Sequence, residues 1–365
     1  MWINGQVMRG VGLKETLLKA SQRIGWNQPK AEPAGSKRRG KGLAATLKPT
    51  ATPTDSYCLI KVNVDGSLTL LSSAVEIGGG QKTIMAQIAA DAIGVPLSSI
   101  SIPNSDTSIT PFDSGVTSSR ITYHMGNAVR LAGEKVRRKI LELAADDLKT
   151  DIARLTLSEG KIFEEGAGER ITLKALLGKV FQRGGTLMAE GHYTPAQSSL
   201  LKAYPNLERM SSIFWMFATH AAEVEVDTET GVVKVLRFAA AHDVGKAINP
   251  TLCEQQIEGS VIMGLSNALL EEFKTDHGRV LNDTLADYKL ATMMDIPEIF
   301  PILVEATHSE GPFGAKGIGE PAAAPTAPAI ANAVFDAVGV RIKDLPITPE
   351  KILAALKQKR EKKGS

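Results

Sequence analysis

Cysteine is nearly absent from this sequence: two residues, Cys58 and Cys253, in a chain of 365. They stand far apart, with no paired-cysteine spacing and no histidine pair nearby, which excludes an iron–sulfur or zinc site of the usual spacing on this chain. A redox centre of that type would have to sit on another chain. The six histidines show no ligand spacing, and no GxSxG elbow occurs, so zinc and serine-hydrolase chemistry both rank low. Excess charge of one sign is also missing. The formal net charge is +2, without the concentrated basic stripe of a nucleic-acid-binding protein. The clearest basic run, Lys37-Arg38-Arg39-Gly40-Lys41, lies in a Pro/Gly-rich stretch and reads as a solvated linker. No apolar run reaches the roughly 20 residues of a membrane span, and the start, MWINGQVMRG, lacks a basic-then-apolar signal pattern. The expectation is a cytoplasmic chain without nucleic-acid or membrane partners.

What is present is ordinary globular material, 43% hydrophobic and 22% charged, in a chain long enough for more than one core. Residues 10–24 place Leu13, Leu17, Leu18, Ala20 and Ile24 at helical spacing. With the polar, proline-bearing stretch that follows, residues 1–55 read as a helical arm and linker. From Tyr57 the period becomes two: YCLIKVNV and SLTLLSSAV flank Asp65-Gly66, a hairpin with an expected type I′ turn. A glycine run, a helix, the short strand ISI and a helix over roughly 118–148 follow. Residues 154–195 read as a hairpin, a helix and a strand. YPNLERMSS interrupts the pattern, so subdomains of 56–205 and 206–365 are expected. The second opens with paired strands THAAEVEVD and VVKVLRFAAAHDVG around Thr228–Gly231. Helix 250–272, a strand near 301–307, helix 324–338 and a last helix capped by Thr348 and opened by Pro349 follow. Strands and helices without strict βαβ alternation indicate an α+β fold.

Three segments could carry chemistry. Glu76-Ile77-Gly78-Gly79-Gly80-Gln81-Lys82-Thr83 joins a strand to a helix, where glycine N–H groups and the helix dipole suit a phosphate. A tight turn is the structural alternative. Neither nucleotide fingerprint fits, because Gln81 precedes Lys82-Thr83 and the third glycine of GxGxxG is missing. Thr117-Ser118-Ser119-Arg120 opens the long helix, either as a cap or, through the Arg120 guanidinium, as a second phosphate contact. A third cluster runs from His242-Asp243-Val244-Gly245 through Asn249-Pro250 to Gln256, Glu258 and Gly259.

These segments occur in order with Gly126-Asn127-Ala128-Val129, Asp287-Tyr288-Lys289, Asp295-Ile296-Pro297 and Gly314-Ala315-Lys316-Gly317-Ile318-Gly319-Glu320-Pro321. Together they resemble the C-terminal half of the molybdenum-binding subunit of the xanthine dehydrogenase/aldehyde oxidase family, the molybdenum hydroxylases. The resemblance runs through about residues 5–357. It implies two mixed α/β subdomains of the second molybdopterin-binding domain, and a molybdopterin cytosine dinucleotide as the cofactor. Its contacts would be Gly78, Gly79, Gly80, Gln81, Thr83, Thr117, Ser118, Ser119, Arg120, Gln256, Lys316 and Gly317. No side chain is expected to ligate the metal, which the pterin dithiolene holds.

Glu320 matches the family's catalytic glutamate. In that role it takes a proton from a molybdenum-bound hydroxyl as an N-heterocycle or aldehyde is oxidised, with water as the oxygen source. An enclosed carboxyl suits such a base. A reductase of the hydroxybenzoyl-CoA type and a noncatalytic scaffold are the alternatives. One departure lies in the glycine loop: Gly79 stands where the family commonly has glutamine, and Gln81 follows two positions later. The family's N-terminal half has no counterpart here, so the chain reads as the smaller product of a split gene, as in nicotinate-dehydrogenase-type enzymes, with a truncated chain as the alternative. The implied partners are a larger molybdopterin-binding subunit, an iron–sulfur subunit with 2Fe-2S clusters, and an FAD subunit.

Overall fold

The computed structural model describes residues 8–30, 32, 35–50, 54–182, 185–195 and 212–364. Most of the interrupting stretch, residues 204–211, lies outside them. The chain forms two compact units: Pro49–Phe214 with Thr307–Gly317 and the segment ending at Arg9, and Gly10–Lys48 with Trp215–Ala306 and Ile318–Ser365. No helix among the described residues is long and apolar enough to cross a membrane. The architecture is α+β, as the sequence pattern indicates.

In the first unit, strands β2 (Ser56–Val62) and β3 (Leu68–Ser72) bury alternate residues, among them Cys58, Ile60, Leu68 and Leu70, as a half-covered sheet requires. The sheet order is β4 (Ile100–Ser101), β3, β2, β8 (Leu187–Tyr193). Helix α3 (Ile121–Leu148) lies on β2 and β8, and α2 (Gln81–Ile93) packs on α3. Where a hairpin was expected after residue 154, three strands pair in order: β5 (Leu155–Ser158), β6 (Lys161–Glu164) and β7 (Gly168–Thr172). Helix α4 (Leu173–Val180) follows, capped by Thr172. The β2–β3 turn also differs from the expected type I′. Only Gly66 is left-handed (φ 87°), and Asn63 and Ser67 close a three-residue loop. Asp65 Oδ1 accepts from the Ser67 N–H at 2.9 Å, a bond that favours this turn.

The second unit is a sheet ordered β1 (Lys37–Pro49), β9 (Trp215–Asp227), β10 (Val233–Asp243), β13 (Glu298–Val304). A small hairpin, β11 (Thr275–Asp276) with β12 (Arg279–Val280), precedes the last of these. Helix α1 (Leu13–Arg23) covers one face, with Ala20 and Ile24 against Ala221, Ala239 and Ala241. Helices α5 (Pro250–Leu269), α6 (Thr326–Val338) and α7 (Pro349–Gly364) contribute Ile257, Val261, Ile330, Val334 and Ile352 to the core with Val224 and Phe238. Coverage on both faces explains why β9 is buried almost without alternation. The caps expected for α7 form: the Lys351 N–H donates to Thr348 Oγ1 at 3.4 Å, and Pro349 opens the helix.

Two expectations need correction. Residues 37–49 are a sheet strand, not a linker. Lys37 and Arg39 pair with Glu225 on β9 at 2.9 and 3.4 Å, and a Cβ on Gly42 would lie 2.2 Å from the Ala329 carbonyl oxygen of α6. Charge and glycine, which locally suggest solvent, here serve strand pairing and backbone-on-backbone contact. In α1 the leucines Leu13, Leu17 and Leu18 face outward, while the smaller face of Thr16 and Ala20 meets the sheet.

His220 and His242, fully buried in this unit, are joined Nε2 to Nε2 at 2.8 Å, and His220 Nδ1 meets Thr326 Oγ1 at 3.0 Å. His242 Nδ1 has no hydrogen-bond partner. An orphaned acceptor is tolerated better than an orphaned N–H, so His242 carries its proton on Nε2 and donates to His220. Burial pushes His242 down to about 3. Burial, then the neighbouring His242, drives His220 well below its usual value.

Two outcomes follow from this packing. Gly42→Ala, which drives a methyl into helix backbone, lowers stability by about 1–3 kcal/mol in denaturant titration. The unfolded chain protonates these histidines near the ordinary value of 6.5, whereas the folded unit resists, so stability present above that pH is lost as pH falls toward 3. Between pH 7 and pH 5 the loss for His242 is about 2 kcal/mol, and His242→Gln makes the slope shallower.

Candidate functional site

The glycine loop is built around its own acid. Glu76 Oε1 accepts from the N–H groups of Gly78 and Gly80 at 2.9 and 3.0 Å, and Oε2 accepts from Lys82 N–H at 3.2 Å. Gly78 and Gly80 reach these positions with φ of 100° and 76°, a region open to glycine at little steric cost. Burial opposes the charge on Glu76, but the N–H groups of Lys82, Gly80, Gly78 and Gln81 together hold its carboxyl below the usual range. The donors expected to meet a phosphate are therefore engaged by a carboxylate six residues or fewer away. Gln81 opens α2, half-buried; its Oε1 has no hydrogen-bond partner. Its Nε2 lies 2.6 Å from where a Gly79 side chain would begin. Gly78 and Thr83 are exposed.

The serine turn is held from inside. Arg120 is fully buried; its guanidinium pairs with buried Asp113 at 2.5 Å and donates to Ser56 Oγ at 2.7 Å and the Gly115 carbonyl at 3.2 Å. Its side chain thus supports the loop, and the expectation of an outward guanidinium for phosphate is corrected: the nearby carboxylate takes its charge. Thr117 is exposed, while Ser118 and Ser119 are half-buried with φ of 52° and 55°, two adjacent left-handed residues without glycine. A Cβ on Gly317 would fall 1.8 Å from the Ser119 carbonyl oxygen. The structure thus brings Ser119 and Gly317 together, which no local pattern shows. Lys316 beside them is buried.

The loop before Gly317 is fixed by residues the sequence reading left without a role. Asn127 Nδ2 donates to the Glu310 carbonyl at 2.9 Å, and a Cβ on Gly126 would touch Pro312. Tyr123 Oη meets His308 Nδ1 at 3.1 Å. Burial, with the charges of Lys316 and Arg9, pushes His308 down to about 4, so its imidazole is neutral near pH 7.

In the second unit Asp243 is structural. Its Oδ2 accepts from Gly12 N–H at 3.0 Å, at the start of α1, and Oδ1 from Gly245 N–H at 3.1 Å. Asn249 Oδ1 caps α5 by accepting from Leu252 N–H at 3.1 Å. Gln256 lies on α5, half-buried. GAKGIGEP is divided, Gly314–Gly317 in the first unit and Ile318 onward in the second. Glu320 begins a one-turn helix, Glu320–Ala322, with Pro321 in its first turn. Its side chain is 54% exposed and forms an ion pair with Lys48 of β1, itself 19% exposed. The enclosure expected around this carboxylate is not supplied by this unit. Lys48 lies so far along the chain from Glu320 that no spacing rule could have found it.

Removing the internal acid of the glycine loop, Glu76→Ala, leaves three N–H groups to solvent. Amide exchange at Gly78, Gly80 and Lys82 rises about tenfold. In the native loop the same protection, present above the ordinary glutamate value of 4.5, is lost as pH falls below it.

Residues 19–297 match the molybdopterin cofactor-binding domain family. The chain is 34% identical to the xanthine dehydrogenase molybdenum-binding subunit of Escherichia coli O157:H7, over 96% of its own length and 46% of that protein. It is 32% identical to the nicotine 6-hydroxylase large subunit of Paenarthrobacter nicotinovorans, over 82% of this chain and 36% of that one. Among solved structures, quinoline 2-oxidoreductase from Pseudomonas putida 86 superposes with a TM-score of 0.83 at 27% identity, covering 95% of this chain and 46% of its own. The chain spans less than half the length of each of these relatives. By the extent of the family match and of its identity to the curated relatives, this chain belongs to the molybdopterin cofactor-binding domain family of xanthine dehydrogenase-type molybdenum subunits.

Proposed function

We propose that this chain is the molybdopterin-binding, base-bearing part of a cytoplasmic molybdenum hydroxylase that oxidises an N-heterocycle or aldehyde, with Glu320 as general base. The observation that carries the reading is Glu320 itself: a carboxylate at the head of a short helix, reachable from solvent and oriented by an ion pair. The nicotine and quinoline named for two relatives favour an N-heterocycle.

The residues fit a pterin. Buried Gln81 Oε1 lacks a partner and can accept from a pterin N–H, and open space beside exposed Gly78 admits a bulky ligand to the backbone. A buried polar atom left unsatisfied calls for such an explanation. In the first unit we assign cofactor contacts to Gly78, Gly79, Gly80, Gln81, Thr83, Thr117, Ser118, Ser119, Lys316 and Gly317, with Arg120 holding the serine turn. In the second, Gln256 is assigned a contact and Glu320 the proton transfer.

When bound, the cofactor, as the molybdopterin cytosine dinucleotide, supplies the two-electron redox centre. Glu320 accepts a proton at its carboxylate from the water-derived nucleophile and passes it on toward solvent. The larger molybdopterin-binding subunit, the 2Fe-2S chain and the FAD chain complete the proposed complex. Glu320→Gln keeps shape while removing the base. In the purified complex we expect wild-type molybdenum and pterin content with turnover reduced about a hundredfold to ten-thousandfold. Full turnover in that variant overturns the reading.

A further inference from the structure

We propose that Lys48 is a positioning residue for Glu320, an inference that rests on the reading of Glu320 as the base. Glu320 opens a short turn closed by Ala323 N–H to its carbonyl at 3.3 Å; the next two residues, Pro321 and Ala322, are buried, whereas the Glu320 side chain is 54% exposed. A side chain so exposed needs an anchor on something rigid if its carboxylate is to hold one orientation. Small displacements matter, since a shift of about 1 Å can cost about a hundredfold in rate.

Lys48 has the properties of that anchor. Its ammonium meets Glu320 Oε2, and its side chain is four-fifths withdrawn from solvent. The strand that carries it, β1, is fastened at residues 40–43 to α6, the helix that follows the Glu320 turn. Lys41 N–H donates to Asp336 at 2.9 Å, Asn332 Nδ2 donates to the Leu43 carbonyl at 2.8 Å, and Gly40 and Gly42 admit helix backbone. The strand under Lys48 and the helix after Glu320 are thus one frame, and the ion pair ties the intervening turn back to it. The linker reading of residues 37–49 hid this, because a lysine in a linker positions nothing.

The test uses the purified complex with its co-purifying chains. Lys48→Met, Lys48→Arg, Glu320→Gln and the Lys48→Met/Glu320→Gln double variant are compared by molybdenum content, backbone exchange over residues 318–323, and steady-state kinetics. Quinoline, hypoxanthine and benzaldehyde serve as probe substrates with a dye acceptor. We expect Lys48→Met to keep its molybdenum, to exchange about tenfold faster in this segment, and to lose about ten- to hundredfold in kcat with little change in KM. Lys48→Arg restores most of both. Glu320→Gln speeds exchange similarly, and the double variant adds nothing, as two members of one interaction should behave.

Wild-type exchange and turnover in Lys48→Met beside an inactive Glu320→Gln overturns the role of Lys48 and leaves the base reading standing. Full turnover in Glu320→Gln overturns both. Molybdenum loss in Lys48→Met makes Lys48 a cofactor contact and likewise overturns its positioning role.

Discussion

A guanidinium withdrawn entirely from water takes its partners inside the protein, and Arg120 organises the loops of the first unit on that account through its two terminal nitrogens, its Nε having no hydrogen-bond partner. Asp113, equally buried, supplies the countercharge, and Ser56 at the start of β2 and the Gly115 carbonyl take further N–H groups. One side chain thereby pins the sheet, the 113–119 loop and the first turn of α3 to a single point. With both ends fixed, the loop closes tightly, and Gly115, Ser118 and Ser119 take left-handed φ of 92°, 52° and 55°. For the two serines such backbone costs about 1–3 kcal/mol each, and it persists because the buried pair over-determines the loop. Breaking a buried pair by removing one member typically costs about 3–5 kcal/mol. The Ser119 carbonyl held in this way is the surface on which Gly317 rests.

The same internal neutralisation occurs at the glycine loop, where Glu76 takes the N–H groups that the pattern offers to an anion. Two motifs that look cationic in sequence are therefore electrostatically closed within the chain. What they leave for a ligand is smaller and more directional: glycine backbone, hydroxyls and the buried, unpartnered Gln81 Oε1. Under the proposed function, that set suits reading the polar edge of a pterin through hydrogen bonds rather than gripping a phosphate through charge. The Gly79 departure fits the same logic, since Gln81 brings its amide to within 2.6 Å of the place where a side chain at 79 would start.

Periodicity made most elements legible. The α1 helix, the β2–β3 pair, α2, α3, the β9–β10 pair and the Thr348 cap all lie where spacing and capping chemistry put them. These are features set by neighbours a few residues apart. The failures share the opposite cause. Residues 37–49 became a strand because Glu225 and the backbone of α6, distant in sequence, answer their charges and fill the space beside their glycines. Arg120 turned inward because Asp113 and Ser56 were folded onto it. Ser119 and Gly317 meet, and Lys48 finds Glu320, across spans that carry no periodic signal. The motifs of the candidate site could be read from sequence because glycine spacing and a lone carboxylate are local. Their partners could not, because partners belong to the tertiary structure.

Glu320 sharpens that distinction into a physical requirement. In water, an ion pair whose carboxylate is as exposed as Glu320 contributes about 0–1 kcal/mol, so stability does not explain its presence. Under the proposed function, the site works only when ligand and polypeptide beyond this chain's span cover the carboxylate, and the relatives are more than twice as long. Covering a lone carboxylate is costly, whereas covering one already bonded to an ammonium costs much less. The attraction within the pair also strengthens as water leaves, because the local dielectric falls. A contact of little consequence in this chain alone thus becomes the means by which a charged group can enter a closed site without losing its orientation.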